Sequence, residues 1–486
     1  MADELDPETP ETESEEPIKQ RKNGLYPGLS DELADNMKSG WADTELRDLE
    51  PIAQAAETAR RRAALSARFP GERLVIPAGN LKTRSNDTEY AFRASVEYAY
   101  LTGDLTEDGV LVLEPRGEGH EATIYLLPRS DRENGEFWLS GQGELWVGRR
   151  HSLTESEALY GLPAADVREL AGALREATGP VRVVRGHDAG IEAALTDKVT
   201  AERDEELRVF LSEARLVKDD FEVGELQKAV DSTVRGFEDV VKVLDKAEAT
   251  SERYIEGTFF LRARVEGNDV GYGSICAAGP HACTLHWVRN DGPVRSGDLL
   301  LLDAGVETHT LYTADITRTL PVDGTYTELQ KKIYDAVYEA QEAGIAAVRP
   351  GAKYRDFHDA AQRVLAERLV EWGLAEGPVE RVLELGLQRR WTLHGTGHML
   401  GMDVHDCAAA RVETYVDGTL EPGMVLTVEP GLYFQADDLT VPEEYRGIGV
   451  RIEDDILVTE DGNRNLSAGL PRRSDEVEAW MAALKS

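Results

Sequence analysis

The sequence predicts an α+β protein of two domains, and three observations lead there. The chain has 486 residues, too many for one compact core, and its 41% hydrophobic content is enough for two. Its N-terminal half mixes helical stretches with short apolar or aromatic runs punctuated by Gly and Pro, the pattern of an α/β domain with a mixed sheet. Its C-terminal half sets amphipathic helices between strand-like runs that end on acids, the pattern of helices packed on a sheet.

Taken in order, the opening ADELDPETPETESEEP is acidic, Pro-interrupted and free of aromatics. Such a segment cannot bury enough surface to offset its ordering entropy, so residues 1–30 are expected to form a disordered tail. ETARRRAALSARF predicts a helix closed by Pro70 and Gly71. ERLVIPAG, GVLVLEP, ATIYLLP and GEFWLSG predict strands, which places a helix and an α/β domain over residues 31–207. The charged stretch 196–220 predicts a helical connection into a second domain over residues 208–486. There Phe221, Leu226, Val230, Val234, Phe237, Val241 and Leu244 recur at helical spacing, and residues 326–348 and 354–372 give two more amphipathic helices.

Composition narrows the function classes. A formal net charge of −37 repels phosphate backbones and anionic membranes, so neither nucleic acid nor membrane is expected as a partner. Residues 1–20 hold no apolar core of a signal peptide, and no run of about 18 apolar residues follows. The three cysteines, Cys276, Cys283 and Cys407, are too few for a disulfide framework and are expected as buried, inert thiols. These features predict a cytoplasmic protein.

The chemistry is concentrated in the C-terminal half. The run Leu299-Leu300-Leu301-Leu302-Asp303-Ala304-Gly305 is an apolar strand ending on a carboxylate, and residues 314–320 alternate like a returning strand that brings Asp315 across from Asp303. Alone, this pair reads more readily as a satisfied turn than as a metal site, because Asp-Ala-Gly is a common strand ending. His394, His398 and His405, however, lie within one short Gly-rich stretch of a chain with only ten histidines. Two further apolar strands deliver Glu429 and Glu453. Four buried acids in one place require neutralising cations, and a pair of divalent metal ions supplies them most directly. Four carboxylates and an imidazole form a hard ligand set, which points to Mn²⁺ first and tolerates Co²⁺ or Zn²⁺. Two ions about 3.5–4 Å apart would hold a bridging hydroxide against a scissile carbonyl, so the reaction class is metal-assisted amide hydrolysis.

The runs LLDAG, ADITRT, HGTGHMLGMDVHD, MVLTVEPGLY and YRGIGVRIEDD, in this order, resemble those of pita-bread metallopeptidases, and of aminopeptidase P in particular. The resemblance covers residues from about 215 to the end and reaches into the N-terminal half through RSNDTEYAFRASVEYAYLTG. It implies a C-terminal pita-bread (creatinase/aminopeptidase-like) catalytic domain that removes the first residue of peptides with proline second. It implies metal ligands Asp303, Asp315, His398, Glu429 and Glu453, with Asp315 and Glu453 bridging. Glu429 would also relay a proton to the leaving proline nitrogen, and His286 and His405 would hydrogen-bond the substrate carbonyl and the tetrahedral intermediate. His394 would line the proline side of the pocket, and Arg451 would orient the N-terminal end of the site. The resemblance further implies a homodimer or homotetramer.

The chain departs from the family at Glu97 and Ala99, where members carry an aspartate and a large aromatic, and residues 1 to about 50 lie outside the resemblance. His281, close in sequence to His286, is expected to be a loop histidine. The nearest alternative is a prolidase, which has the same metal cluster and cleaves only dipeptides. An alternative of another class is a non-catalytic pita-bread module that binds peptide, histone or nucleic acid, against which the intact ligand set weighs.

Overall fold

The strand Arg73–Pro77 is buried along four of its five residues because both of its faces are covered. In a computed structural model that describes residues 30–485, it pairs antiparallel with Val110–Arg116 and parallel with Val181–Val183. Gly119–Leu126 and Ala164–Asp166 complete a mixed five-stranded sheet, as expected. Leu74 and Ile76 face Leu65 of the helix Ala55–Arg68 and Leu101 of Val96–Thr102, whereas Val75 faces Leu170 and Leu174 of Val167–Glu176. This alternation is the period-2 geometry of a strand between two helical layers. The acidic segment 1–29, expected as a tail, lies outside the described residues.

One sequence expectation fails here. GEFWLSG is not a strand but a one-turn helix, Glu136–Leu139, entered through Gly135 at φ +86°. The backbone bonds to itself rather than to a neighbouring strand: the Leu139 N–H donates to Gly135 O at 2.9 Å and the Ser140 N–H to Glu136 O at 3.3 Å, while Phe137 and Trp138 are both buried and Phe137 lies 5.7 Å from the ring of Trp41.

The helix Ala201–Ala214 is continuous across residues 207 and 208 and leads through Arg215 into Asp220–Val241, whose start is a capping box between Asp219 and Glu222. Glu252–Glu266, Glu328–Ala347 and Asp356–Glu371 are the other long helices of this half. They cover three antiparallel groups of strands: Ile275–Ala278 with Leu299–Ala304 and Ile316–Pro321; Val425–Val428 with Asp454–Val458 and Asn463–Asn465; and Gly431–Phe434 with Ile448–Arg451. Leu299–Ala304 and Ile316–Pro321 are buried at every position, which accounts for four consecutive leucines in the first. Among the described residues, no helix is long and apolar enough to cross a membrane.

Arg318 fastens the layers together. It is fully buried, and all five of its N–H donors are engaged: Nε on Pro471 O, Nη1 on Thr317 O and Glu453 O, Nη2 on Leu470 O and on Asp454 Oδ1 at 2.8 Å. Removing one partner of a buried pair leaves the other charge uncompensated, so Arg318→Met is expected to cost about 3–5 kcal/mol in urea denaturation.

All three cysteines are buried, and burial pushes the thiols of Cys283 and Cys407 up to about 12. A thiol reagent at pH 8 is therefore expected to titrate no thiol in the folded protein and three in denaturant.

Candidate active site

Two glycines bring the acids together. A Cβ on Gly305 would lie 1.7 Å from the carbonyl oxygen of Ala314, so only glycine lets the chain after Asp303 touch the chain before Asp315. Likewise a Cβ on Gly397 would lie 2.0 Å from Thr427 O, and this close approach sets His398 against the strand that delivers Glu429. The Thr427 N–H donates to His398 O at 2.9 Å, and the His398 N–H donates to Thr427 Oγ1 at 3.1 Å. Glu453 follows Ile448–Arg451, and its N–H donates to Thr317 O at 3.0 Å.

The result is a shared pocket. Asp315, His398 and Glu453 each offer a ligand atom, all within 4.8 Å of one another. Asp303 joins through Tyr272, whose hydroxyl lies 2.6 Å from Asp303 Oδ1 and 2.5 Å from Asp315 Oδ1. Glu429 Oε1 stands 3.7 Å from His398 Nε2, and Asp315 Oδ2 stands 3.3 Å from the same nitrogen. Arg451 Nη2 meets Asp303 Oδ2 at 2.5 Å, and the Thr317 hydroxyl donates to Glu453 Oε2 at 2.6 Å.

Negative charge is in excess. Burial raises Asp315, takes Glu429 up to about 7, and drives Glu453 and the neighbouring Asp455 well above the usual carboxylate range. Burial opposes protonation of His398, but the Asp315 and Glu429 carboxylates outweigh it and hold the ring up at about 9. The cluster thus draws in positive charge from any source. The His398 Nδ1 lies 3.1 Å from Met399 O, which can only accept, so Nδ1 keeps its proton in either state, and Nε2, facing the carboxylates, is the nitrogen that would give up its proton to a cation. An imidazole turned this way amid buried carboxylates fits hard divalent cations.

The other histidines divide by environment. His394 Nδ1 donates to Gly395 O at 2.6 Å, which leaves Nε2 to accept from the Tyr433 hydroxyl at 2.8 Å. Tyr433 in turn accepts from Arg451 Nη1 at 3.0 Å. Burial, reinforced by Arg451, lowers His394 to about 4, so the ring is neutral. His405 is exposed, with its ring 4.3 Å from that of His398, and burial of part of the ring together with His398 pushes its pKa down. His286 is exposed on the loop after Gly279–Cys283. His281 is not a plain loop histidine: its Nδ1 meets the buried Glu252 at 2.8 Å, and its ring stacks on Trp287.

The N-terminal half approaches from one side. A cavity of about 440 Å³ is bordered by Lys82, Arg93, Glu97 and His187 on that side and by Asp403 and His405 on the other. Glu97 faces Arg215 at 3.4 Å, and Ala99 is packed in the core. Ala99 therefore adds nothing to the cavity wall. Sequence reasoning passed over Tyr272, which stands between glycines in no acid or histidine motif. It also passed over Thr317 and Tyr433 as hydrogen-bond partners, although both lie inside quoted motifs.

Two family models match the chain: the aminopeptidase P N-terminal domain over residues 58–183 and metallopeptidase family M24 over residues 224–460. Xaa-Pro aminopeptidase 1 of Streptomyces coelicolor is 91% identical over the full length of both chains. The chain belongs to metallopeptidase family M24. Xaa-Pro aminopeptidase 2 of the same organism is 68% identical over 95% of this chain and 98% of its own length. Among solved structures, Pseudomonas aeruginosa aminopeptidase PepP is similar with a TM-score of 0.80 at 34% identity, covering 90% of this chain and all of that one. A Zn-substituted Escherichia coli aminopeptidase P in complex with product matches with a TM-score of 0.79 at 32% identity, over 90% of this chain and 100% of that one. The fold is thus the M24 pita-bread domain preceded by the aminopeptidase P N-terminal domain, and its family chemistry uses divalent metal ions.

Because a misplacement of 1 Å can cost about 100-fold, Gly305→Ala is expected to lower peptide hydrolysis by at least that factor, read as kcat/KM, while the far-UV circular dichroism of the variant stays unchanged.

Proposed function

We propose that the protein is a Xaa-Pro aminopeptidase that cuts the first peptide bond of peptides with proline second. One observation carries the reading: Asp315, His398 and Glu453 converge in an anion-rich pocket that Asp303 and Glu429 also border. The 91% identity to a full-length Xaa-Pro aminopeptidase supports the same activity.

Asp303, Asp315, His398, Glu429 and Glu453 would hold two divalent ions, Mn²⁺ foremost, with Co²⁺ or Zn²⁺ as alternatives. When bound, the ions supply Lewis acidity at the carbonyl and a water of lowered pKa. The chain's own residues do the rest. Glu429 takes the nucleophile's proton and passes it to the proline nitrogen as that nitrogen leaves. His286 and His405, exposed at the rim, donate to the substrate carbonyl and to the developing oxyanion. His394 has its Nδ1 proton on Gly395 O and its Nε2 lone pair on Tyr433, so it presents ring edge rather than a hydrogen bond, which suits contact with a proline ring. Arg451 holds Asp303 and Tyr433 in place at the N-terminal end. We place the enzyme in the cytoplasm, as a homodimer or homotetramer.

The test is hydrolysis of a Xaa-Pro-Xaa tripeptide and a Xaa-Pro dipeptide by metal-stripped protein, with and without Mn²⁺. First-bond cleavage of the tripeptide that returns only with metal is expected; cleavage of the dipeptide alone would make the enzyme a prolidase, and no cleavage would return it to the binding-module class. Asp315→Asn or Glu453→Gln is expected to abolish both turnover and metal loading in a protein that still folds, checked by elemental analysis beside the assay.

A further inference from the structure

One buried carboxylate outside the metal cluster governs the loop that carries His286. We propose that Glu252 is a positioning residue for His286, an inference that rests on the role given to that histidine above.

Glu252 is the first residue of the helix Glu252–Glu266 and is fully buried. Its Oε1 accepts from Ala278 N at 2.8 Å and from His281 Nδ1 at 2.8 Å. Its Oε2 accepts from Trp287 Nε1 at 2.8 Å and from Gly292 N at 2.7 Å. Each oxygen therefore takes one backbone N–H from a foot of the loop and one ring N–H from within it. The Glu252 N–H closes the arrangement by donating to Gly292 O at 3.0 Å. All four donors to the carboxylate come from residues 278–292, and His286 lies among them, directly before Trp287.

The surrounding packing leaves this loop little freedom. The His281 and Trp287 rings stack with centroids 3.9 Å apart and planes 22° from parallel. A Cβ on Gly292 would come within 2.2 Å of His281 Cε1 and 2.9 Å of Glu252 Oε2, so the foot of the loop fits only glycine. Asn290, also fully buried, accepts from Cys276 N at 2.9 Å and donates to Ser274 O at 2.8 Å, tying the loop to its preceding strand. The carboxylate does not cap its own helix, since none of its four donors belongs to that helix. A buried carboxylate is tolerated when its acceptor sites are filled, and here they are filled by one loop. Fixing Trp287 from below sets the direction in which the preceding His286 side chain leaves the backbone.

Glu252→Gln keeps the shape and breaks the pattern. Trp287 Nε1 and Gly292 N can only donate, so the amide oxygen must turn to them, and the amide NH₂ then opposes the Ala278 N–H. Turnover of a Xaa-Pro-Xaa tripeptide is measured for wild type, Glu252→Gln, His286→Ala and the double variant, with metal content and Tm followed in parallel. Glu252→Gln is expected to lower kcat about tenfold with KM within about threefold and metal content unchanged, and His286→Ala to lower it further. The double variant is expected to match His286→Ala within about threefold, because a residue that acts through His286 has nothing left to act on. Trp287→Phe keeps the stack and loses one donor; it is expected to lower kcat in the same direction and to be silent without His286. If Glu252→Gln lowers kcat by the same factor with and without His286, or leaves kcat intact, the proposal is overturned. Wild type that cuts no Xaa-Pro bond, or His286→Ala that is as fast as wild type, removes the underlying reading and the proposal with it.

Discussion

Placing several carboxylates in one pocket away from water is the constraint around which the C-terminal half is arranged, because each buried charge needs partners within hydrogen-bond reach. Arg318 answers it structurally: with no exposure and every donor used, it binds the strand after Asp315 to the backbone of Glu453 and to the buried carboxylate of Asp454. Asp454 is further held by Gln341 and Ser467. Arg451 answers it within the site, against Asp303. One guanidinium does not balance the pocket, and the raised Asp315, Glu429 and Glu453 record the shortfall that cations would make good.

Hydrogen-bond direction then gives each histidine a separate character. His398 and His394 both donate from Nδ1 to a backbone carbonyl. Their Nε2 atoms meet opposite surroundings, carboxylates for His398 and the Tyr433 hydroxyl with Arg451 behind it for His394. One ring is held up at about 9 and the other down at about 4, although they lie four residues apart. Local sequence does not separate them; the groups behind them do.

Much of the fold was legible because burial leaves a one-dimensional trace. Four consecutive leucines before Asp303 could only be a strand covered on both faces, and apolar residues at helical spacing marked Asp220–Val241. GEFWLSG misled because Gly-flanked aromatics suit a strand and a short turn of helix equally, and only the backbone bonds from Leu139 to Gly135 and from Ser140 to Glu136 separate the two. In the site, acids and histidines announce themselves by type. Tyr272, Arg318 and Glu252 do not, since their roles depend on partners 26 to 153 residues away. No local pattern encodes such a partner. The same blindness made His281 look like an ordinary loop residue.

The contacts of Arg93 bear on how the two halves came to share a chain. Its guanidinium reaches from the N-terminal half to Glu307 at 2.7 Å and to Asp403 at 3.1 Å, and Glu307 is otherwise buried. Arg61 makes a similar reach to Asp219 and Glu222. Each family model recognises its half as a unit, but cutting between them would strand acids of the C-terminal half without their counter-charges. A recombinant fragment holding that half alone would begin with an electrostatic debt, and a swap of N-terminal halves between relatives would succeed only where these arginines travel with the graft.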